Sequence, residues 1–315
     1  MLKDTVKRRE MSWLAARAGR LGRWSALKRG LALVYHRVAD VSGSEERELV
    51  PAIATRTFEW QIRHLAANYR LVTASDLPAV ALARRRGEPF PVAITFDDDY
   101  LSHRRAAMPV LLRNGIPATF FLCGASLKRP FSFWWEALQR ASDLGIPPGS
   151  IVSETDASSD SIHDVAAAIQ TMKREDRVAV AARLQRRLGA GSSEGGMSAS
   201  DVRALVEAGF EIGFHTLEHH PLTTLGDGEL PAAMTNGRDR IASLAGQELA
   251  TIAYPHGRAD GRVAAAAREA GFSRGYTTSA TPLRPETDQL LIGRLVPPPS
   301  EDGFALTIMR TLGGS

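Results

Sequence analysis

The sequence predicts an α/β fold in which buried strands alternate with helices around a parallel sheet. Three observations carry this reading. Short apolar runs with strand character recur at 31–35, 92–96, 118–122, 210–214 and 250–254. Between them apolar residues fall at helical spacing, as Phe58, Ile62 and Leu65 do. Polar groups able to do chemistry stand directly after the strands: His36, then Asp97, Asp98 and Asp99, then His215, then His256. Alternation of this kind belongs to parallel sheets with helical crossovers. In barrels built that way the loops after the strands share one face, where such groups can converge.

The elements follow in order. Residues 31–35 form the first strand, and Thr57 is placed to cap the helix behind it. A strand at 69–73 and a helix capped by Ser75 precede the run 91–100, whose apolar half ends in three consecutive carboxylates. Acids at the mouth of a buried strand are costly unless a cation or a proton offsets them. A helix around 104–113 stops at Asn114-Gly115, and Pro117 leads into the next strand. From about 128 to 197 the pattern changes to an insertion. It holds Trp134-Trp135, an acidic and serine-rich segment (153–164), a basic helical run (172–188) and a loop at 191–196. The two tryptophans suit either packing or stacking on a sugar ring. Ser198 with Asp201 then opens a helix as a capping box and Gly209 closes it. Strands at 210–214 and 250–254 flank a helix near 228–244. A helix near 262–270 leads to the last strand candidates, 276–278 and 290–295.

The 315 residues are 44% hydrophobic and 23% charged, which suits a globular chain with one large domain or two smaller ones. The expected organisation is a basic N-terminal extension (1–29), a main domain (30–300) carrying the insertion, and a C-terminal tail (301–315). The extension holds Lys3, Lys7, Arg8, Arg9, Arg17, Arg20, Arg23, Lys28 and Arg29 against Asp4 and Glu10. Such an arm can hold anionic lipid, nucleic acid or an acidic partner, or simply be solvated. Trp13, Leu14, Leu21, Trp24 and Leu27 interleave with it and permit an amphipathic surface helix. Cys123, the single cysteine, excludes an intrachain disulfide and reads as a core thiol. No secretory signal and no membrane span is legible. The expected location is therefore cytoplasmic, peripheral to the inner membrane if the arm binds lipid.

His215-Thr216-Leu217-Glu218-His219 supplies two imidazoles four residues apart. With one carboxylate from the run Asp97–Asp99 they make a His-His-Asp set. Three protein ligands and an open position suit a catalytic metal, since water can take the vacancy. A second carboxylate beside it can move a proton. Three competing readings exist. H-x-x-E-H is also the inverted zinc-protease signature, but that motif needs a helix, and here a strand precedes His215 and Pro221 follows. Two histidines and a carboxylate also hold non-haem iron, without requiring the second Asp. The plainest reading makes both histidines ordinary loop residues.

Thr95-Phe96-Asp97-Asp98, His215-Thr216-x-x-His219 and Ala253-Tyr254-Pro255-His256-Gly257 resemble successive motifs of the NodB-type polysaccharide deacetylases, carbohydrate esterase family 4. Tyr35-His36-Arg37-Val38 and the stretch 115–121 resemble signatures of a bacterial branch of that family. The resemblance implies the family's irregular (β/α) barrel. It implies Asp97 as general base, and Asp98, His215 and His219 as ligands of zinc or another divalent metal such as Co²⁺ or Ni²⁺. It implies Tyr254, Pro255 and His256 as the oxyanion and substrate segment, with the backbone N–H of His256 as donor. The implied activity is hydrolysis of an N-acetyl group from an amino sugar of a polysaccharide, oligosaccharide or glycolipid. Nucleic acid is not an implied partner.

Three departures from the family pattern stand out. Asp99 replaces the usual glycine; it adds negative charge that either alters substrate choice or simply faces solvent, and it is the acid of the run most expected to be solvated. Ala253 replaces the arginine that orients the base in many members, for which Arg294 and Arg37 are substitutes. No histidine follows in Leu291-Ile292-Gly293-Arg294, where the family keeps its general acid. His36, on the first strand, is the replacement expected beside the last strand of a closed barrel, with His256 as runner-up. The altered motifs also leave room for a catalytically weak relative that binds glycan or lipid-linked sugar in an assembly system.

Overall fold

In the computed structural model, which describes residues 23–127, 133–147, 150, 161–188 and 196–313, the strand that ends in the acidic run lies at the centre of the sheet. The chain begins with β1 (Leu31–Tyr35), β2 (Val38–Ala39), β3 (Ile53–Ala54), α1 (Thr55–Asn68), β4 (Arg70–Val72), α2 (Leu77–Ala83) and β5 (Pro91–Asp97). A π-helical turn (His103–Ala107), α3 (Met108–Asn114) and β6 (Thr119–Leu122) follow. The insertion supplies α4 (Trp134–Asp143), α5 (Ile162–Thr171) and α6 (Arg174–Leu188). The alternation resumes with α7 (Ala199–Glu207), β7 (Glu211–Phe214), α8 (Leu230–Thr235), α9 (Arg238–Ala245), β8 (Thr251–Ala253), α10 (Gly261–Glu269), β9 (Arg274–Tyr276), β10 (Arg294–Leu295) and α11 (Glu301–Gly313).

The main sheet is parallel throughout and runs β10-β1-β5-β6-β7-β8-β9. β4 pairs with the first half of β5 and β6 with its second half. The ends of the order approach each other: Thr277 N–H donates to Ile292 O at 2.8 Å and Ile292 N–H to Gly275 O at 2.9 Å. The result is a nearly closed (β/α) barrel of the irregular kind expected. All seven residues of β5 are buried, as a strand covered on both faces requires. Phe96 stacks on Phe120 at 4.7 Å between ring centres and packs edge-on to Phe58, which ties β5, β6 and α1 into one core.

Several boundaries differ from expectation. Helix α1 starts at Thr55, so Thr57 lies inside it; β3 feeds straight into the helix and no side chain caps it. Asp76, not Ser75, precedes α2. The segment 228–244 splits into α8 and α9 at Gly237, whose φ of 84° no ordinary helical residue adopts. β9 begins two residues before the expected 276. The C-terminal tail is a helix, α11, which buries Phe304, Ile308 and Leu312 against the barrel. The capping box of Ser198 and Asp201 is present, and Gly115 closes α3 at φ 63°. The arm up to residue 22, most of the serine-rich segment and the loop 191–195 lie outside the described residues.

Candidate metal centre and active site

β5 carries Asp97 at its last position, and the chain leaves the strand through Asp98 at φ 72°. β7 ends at Phe214, so His215 emerges beside it, and a turn with Thr216 at φ 55° and His219 at φ 48° brings the second imidazole back. His256, at φ 57°, follows β8 in the same way. Among the described residues these four are the only non-glycine positions with positive φ. Backbone strain of this kind costs on the order of 1–3 kcal/mol per residue and survives where the surroundings over-determine it. Here it is confined to the loops at one end of the barrel.

Asp98, His215 and His219 form a cluster of metal-ligating atoms that all lie within 4.8 Å of one another. Asp98 Oδ1 stands 3.7 Å from His215 Nε2 and 3.4 Å from His219 Nε2. Donor atoms about 2.0–2.1 Å from a tetrahedral zinc are separated by roughly 3.4 Å, so the set has the right spread. His215 Nδ1 lies 2.8 Å from the carbonyl oxygen of Ala253, which can only accept. The proton therefore sits on Nδ1 and the lone pair of Nε2 faces Asp98, the second-shell arrangement that metal-binding histidines adopt. His219 is half-buried, and its Nδ1 is buried without a hydrogen-bond partner.

Burial drives the Asp98 carboxyl well above the usual range, and the charges of Asp97, Asp99 and Glu136 push it further. Burial lowers both His215 and His219, His219 strongly, with His256 and His215 adding to the effect on His219. A buried acid crowded by acids beside two neutral imidazoles is a site built for a cation. Two imidazole nitrogens and one carboxylate oxygen suit zinc or a similar first-row divalent ion.

Asp97 is treated differently. Burial would raise its carboxyl, but the guanidinium of Arg294 outweighs that, with help from His215 and His36, and holds it at about 2. Arg294, fully buried on β10, donates from Nη1 to Oδ1 at 2.6 Å and from Nη2 to Oδ2 at 2.7 Å. Its own position is fixed by Thr95 Oγ1 and the carbonyl of Thr277. Asp97 Oδ2 also lies 3.8 Å from His215 Nε2, beside the candidate metal position. Arg37 instead reaches Glu48 and the carbonyl of Val50.

These groups line a cavity of about 340 Å³. Its floor holds His36, Asp97, Asp98, His215, His219 and His256, and the insertion supplies a wall through Trp134, Trp135, Ala166 and Gln170. Burial lowers the imidazole of His36 to about 4 against the opposing pull of Asp97, and burial lowers His256 to about 4 as well. Trp135 is held by a hydrogen bond to the Tyr100 hydroxyl and sits 4.6 Å from the His219 ring.

One expectation needs correction. Asp99 does not face solvent. It is buried and accepts from the N–H groups of Cys123, Gly124 and Ser126 and from the Ser126 hydroxyl. Its carbonyl accepts from Met197 N–H at 2.7 Å, so one residue ties both ends of the insertion to the metal-site strand. Tyr254 and Pro255 do not line the cavity. The Tyr254 hydroxyl donates to Leu290 O inside the core, and His256 and Gly257 are the part of that segment that lines the cavity. Gly257 has no substitute, since a Cβ there would overlap Thr278.

Sequence reasoning missed three supports. His103, fully buried, donates from Nε2 to the His36 carbonyl at 2.7 Å. Arg177 of α6 contacts His220, whose Nε2 meets Glu218 at 2.7 Å, a chain that joins the insertion to the metal loop. Cys123 is buried as expected, with Sγ 3.9 Å from Asp98 Oδ1. Only the count of acids in the run 97–99 hinted at the role of Asp99.

The family model for polysaccharide deacetylase matches residues 84–152 and 156–275. The chain belongs to the polysaccharide deacetylase family. The matched ranges contain Asp97, Asp98, His215, His219 and His256, while His36 and Arg294 lie outside them. YxkH of Bacillus subtilis (strain 168), whose name carries the words polysaccharide deacetylase, is 29% identical over 124 residues. That match spans 39% of this chain and 41% of the relative. The fold is similar to that of the Streptococcus pyogenes deacetylase PplD, seen with acetate: TM-score 0.62 at 15% identity, over 90% of this chain and 98% of that one. It is also similar to IcaB from Ammonifex degensii, with TM-score 0.59 at 22% identity over 90% and 97% of the two chains.

Proposed function

We propose that this member of the polysaccharide deacetylase family is a divalent-metal-dependent hydrolase that removes an N-acetyl group from an amino sugar of a polysaccharide, oligosaccharide or glycolipid. The observation that carries the reading is the Asp98–His215–His219 cluster on the cavity floor with Asp97 beside it. When bound, a cation such as zinc supplies Lewis acidity toward the acyl oxygen and acidifies water. Asp98, His215 and His219 hold it. Asp97 stays ionised under the influence of Arg294 and accepts the proton of the attacking water. The backbone N–H of His256 serves the developing oxyanion, a donor typically worth about 2.7–4 kcal/mol in the transition state. His36 is the group placed to hand a proton to the leaving amine. Burial keeps it neutral beforehand, so the proton it passes to the amine is the one Asp97 has taken from the attacking water.

The pairing of Arg294 with Asp97 and the presence of His36 in the cavity answer the two motif departures that favoured a weak relative. The insertion wall with Trp134 and Trp135 suits the apolar face of a sugar ring. Contact of the basic arm with an anionic membrane surface is proposed on its charge alone. Among the described residues no helix is long and apolar enough to cross a membrane.

The test is acetate release from N-acetylated glycans, N-acetylchito-oligomers among them, by zinc-loaded protein. Metal-stimulated release that disappears in Asp97→Asn supports the reading. Release that persists in that variant, or after chelation, overturns it.

A further inference from the structure

At the end of the barrel opposite the metal site, where the parallel strands begin, Lys28 before β1, Arg274 at the start of β9 and Arg284 surround a cavity of about 320 Å³. None of the residues lining it is acidic. Glu286 stands at the rim, 4.0 Å from Arg284. The Nε of Arg274 and the Oε1 of Gln289 are buried there without hydrogen-bond partners. An unpartnered buried donor is destabilising until something satisfies it. The cavity is therefore lined by three cations and by a glutamine whose amide is not fully paired.

The surface around this cavity is apolar as well as cationic. Leu82 lines it and is 55% exposed; Trp24 and Leu27, just before Lys28, are 64% and 37% exposed. They are three of the seven large apolar side chains exposed among the described residues. They are also held in place. Arg84, at the end of α2, donates to the carbonyls of Arg23, Ser25 and Leu27, and Gly87 N–H donates to Arg23 O at 2.7 Å. An exposed indole and two leucines beside cations is the composition of a membrane–water interface contact.

We propose that this end of the barrel docks on an anionic phospholipid surface, with Lys28, Arg274 and Arg284 taking lipid phosphates and Trp24, Leu27 and Leu82 entering the headgroup region. The basic residues upstream are continuous in sequence with Lys28, so the net positive charge next to this face is larger than its three cations alone. The proposal is independent of the hydrolytic reading, because no residue of the metal site takes part.

The experiment is sedimentation of the full chain with vesicles of phosphatidylcholine, alone or with about one third phosphatidylglycerol, at two salt concentrations. Each surface cation contributes about 1 kcal/mol to such binding, roughly fivefold in partition, so Lys28→Gln with Arg274→Gln and Arg284→Gln lowers it roughly a hundredfold. Trp24→Ser lowers it at high salt as well, where the arm's electrostatic share is screened. The thermal midpoint and metal content of each variant show that the fold is kept. Equal partition of the parent and the triple variant overturns the proposal, whether the arm carries all of the binding or neither protein binds. Selective binding of inorganic phosphate or of duplex DNA, with no preference for anionic vesicles, overturns it too.

Discussion

Arg294 grips Asp97 with both guanidinium nitrogens across 197 residues of sequence, at 2.6 and 2.7 Å, with both side chains buried. The pair joins the last strand of the sheet to the strand that carries the metal site. A buried ion pair of this kind contributes little net stability, but removing one partner strands the other.

Replacing Arg294 is therefore expected to cost more than replacing the pair. Arg294→Met destabilises the fold by about 3–5 kcal/mol in urea unfolding. Arg294→Met with Asp97→Leu recovers much of that loss while remaining inactive. Arg294→Lys keeps the charge but loses the two-pronged geometry, so kcat falls more than stability does. Simple additivity of the two single changes would show that the pair does not act as a unit.

Metal affinity separates the roles of the two adjacent aspartates. Asp98→Ala, His215→Ala and His219→Ala are each expected to lose a divalent ion that the parent chain retains through gel filtration. Asp97→Asn keeps the ion and loses turnover by several orders of magnitude. Calorimetric titration with zinc checks both halves, and retention of metal by Asp98→Ala refutes the ligand assignment.

Asp99 is expected to matter for stability before it matters for chemistry. Asp99→Ala leaves three buried N–H groups without their acceptor, each at about 1–3 kcal/mol before water or rearrangement compensates, while the Ser126 hydroxyl keeps the Met197 carbonyl. Asp99→Asn retains one acceptor oxygen and loses less. Because the Asp99 carboxylate fixes Cys123, Gly124 and Ser126 at the entry to the insertion, its loss should raise protease sensitivity between residues 128 and 196. An Asp99→Ala protein as stable as the parent contradicts the bracket.

His103 gives the chain an acid-sensitive core. Burial lowers its imidazole to about 3, only partly opposed by the bond to the His36 carbonyl. In the unfolded chain it takes a proton near 6.5. Between those values the unfolded state binds more protons, so stability falls as pH falls, with a slope approaching about 1.4 kcal/mol per pH unit from this group. His103→Gln keeps an N–H for His36 and should flatten that part of the stability curve. An unchanged pH dependence in urea melts between pH 6.5 and 4 counts against the assignment.

Much of the site was legible because its chemistry is local. Asp97 and Asp98 end a run of apolar residues, and His215 and His219 share one turn, so each half announces itself in a few residues. The supports were not legible. His103, Asp99 and Arg177 act on partners far along the chain, and nothing near them in sequence names those partners; Arg294 was the exception, named only through the family resemblance and with Arg37 as its rival. Strand starts and the closing strand were placed less well. β10 holds only Arg294–Leu295, and its pairing with β1 depends on closure rather than on local propensity.

The sequence by itself determined the alternation of strand and helix, the order of the motifs and the family, because apolar periodicity and short ligand spacings survive without three-dimensional context. Only the tertiary structure decided what each acid meets. Three neighbouring carboxylates with nearly identical local sequence meet three different fields: Arg294 for Asp97, two imidazoles for Asp98, and a ring of backbone N–H groups for Asp99. Burial makes each field strong, and only folding brings it there.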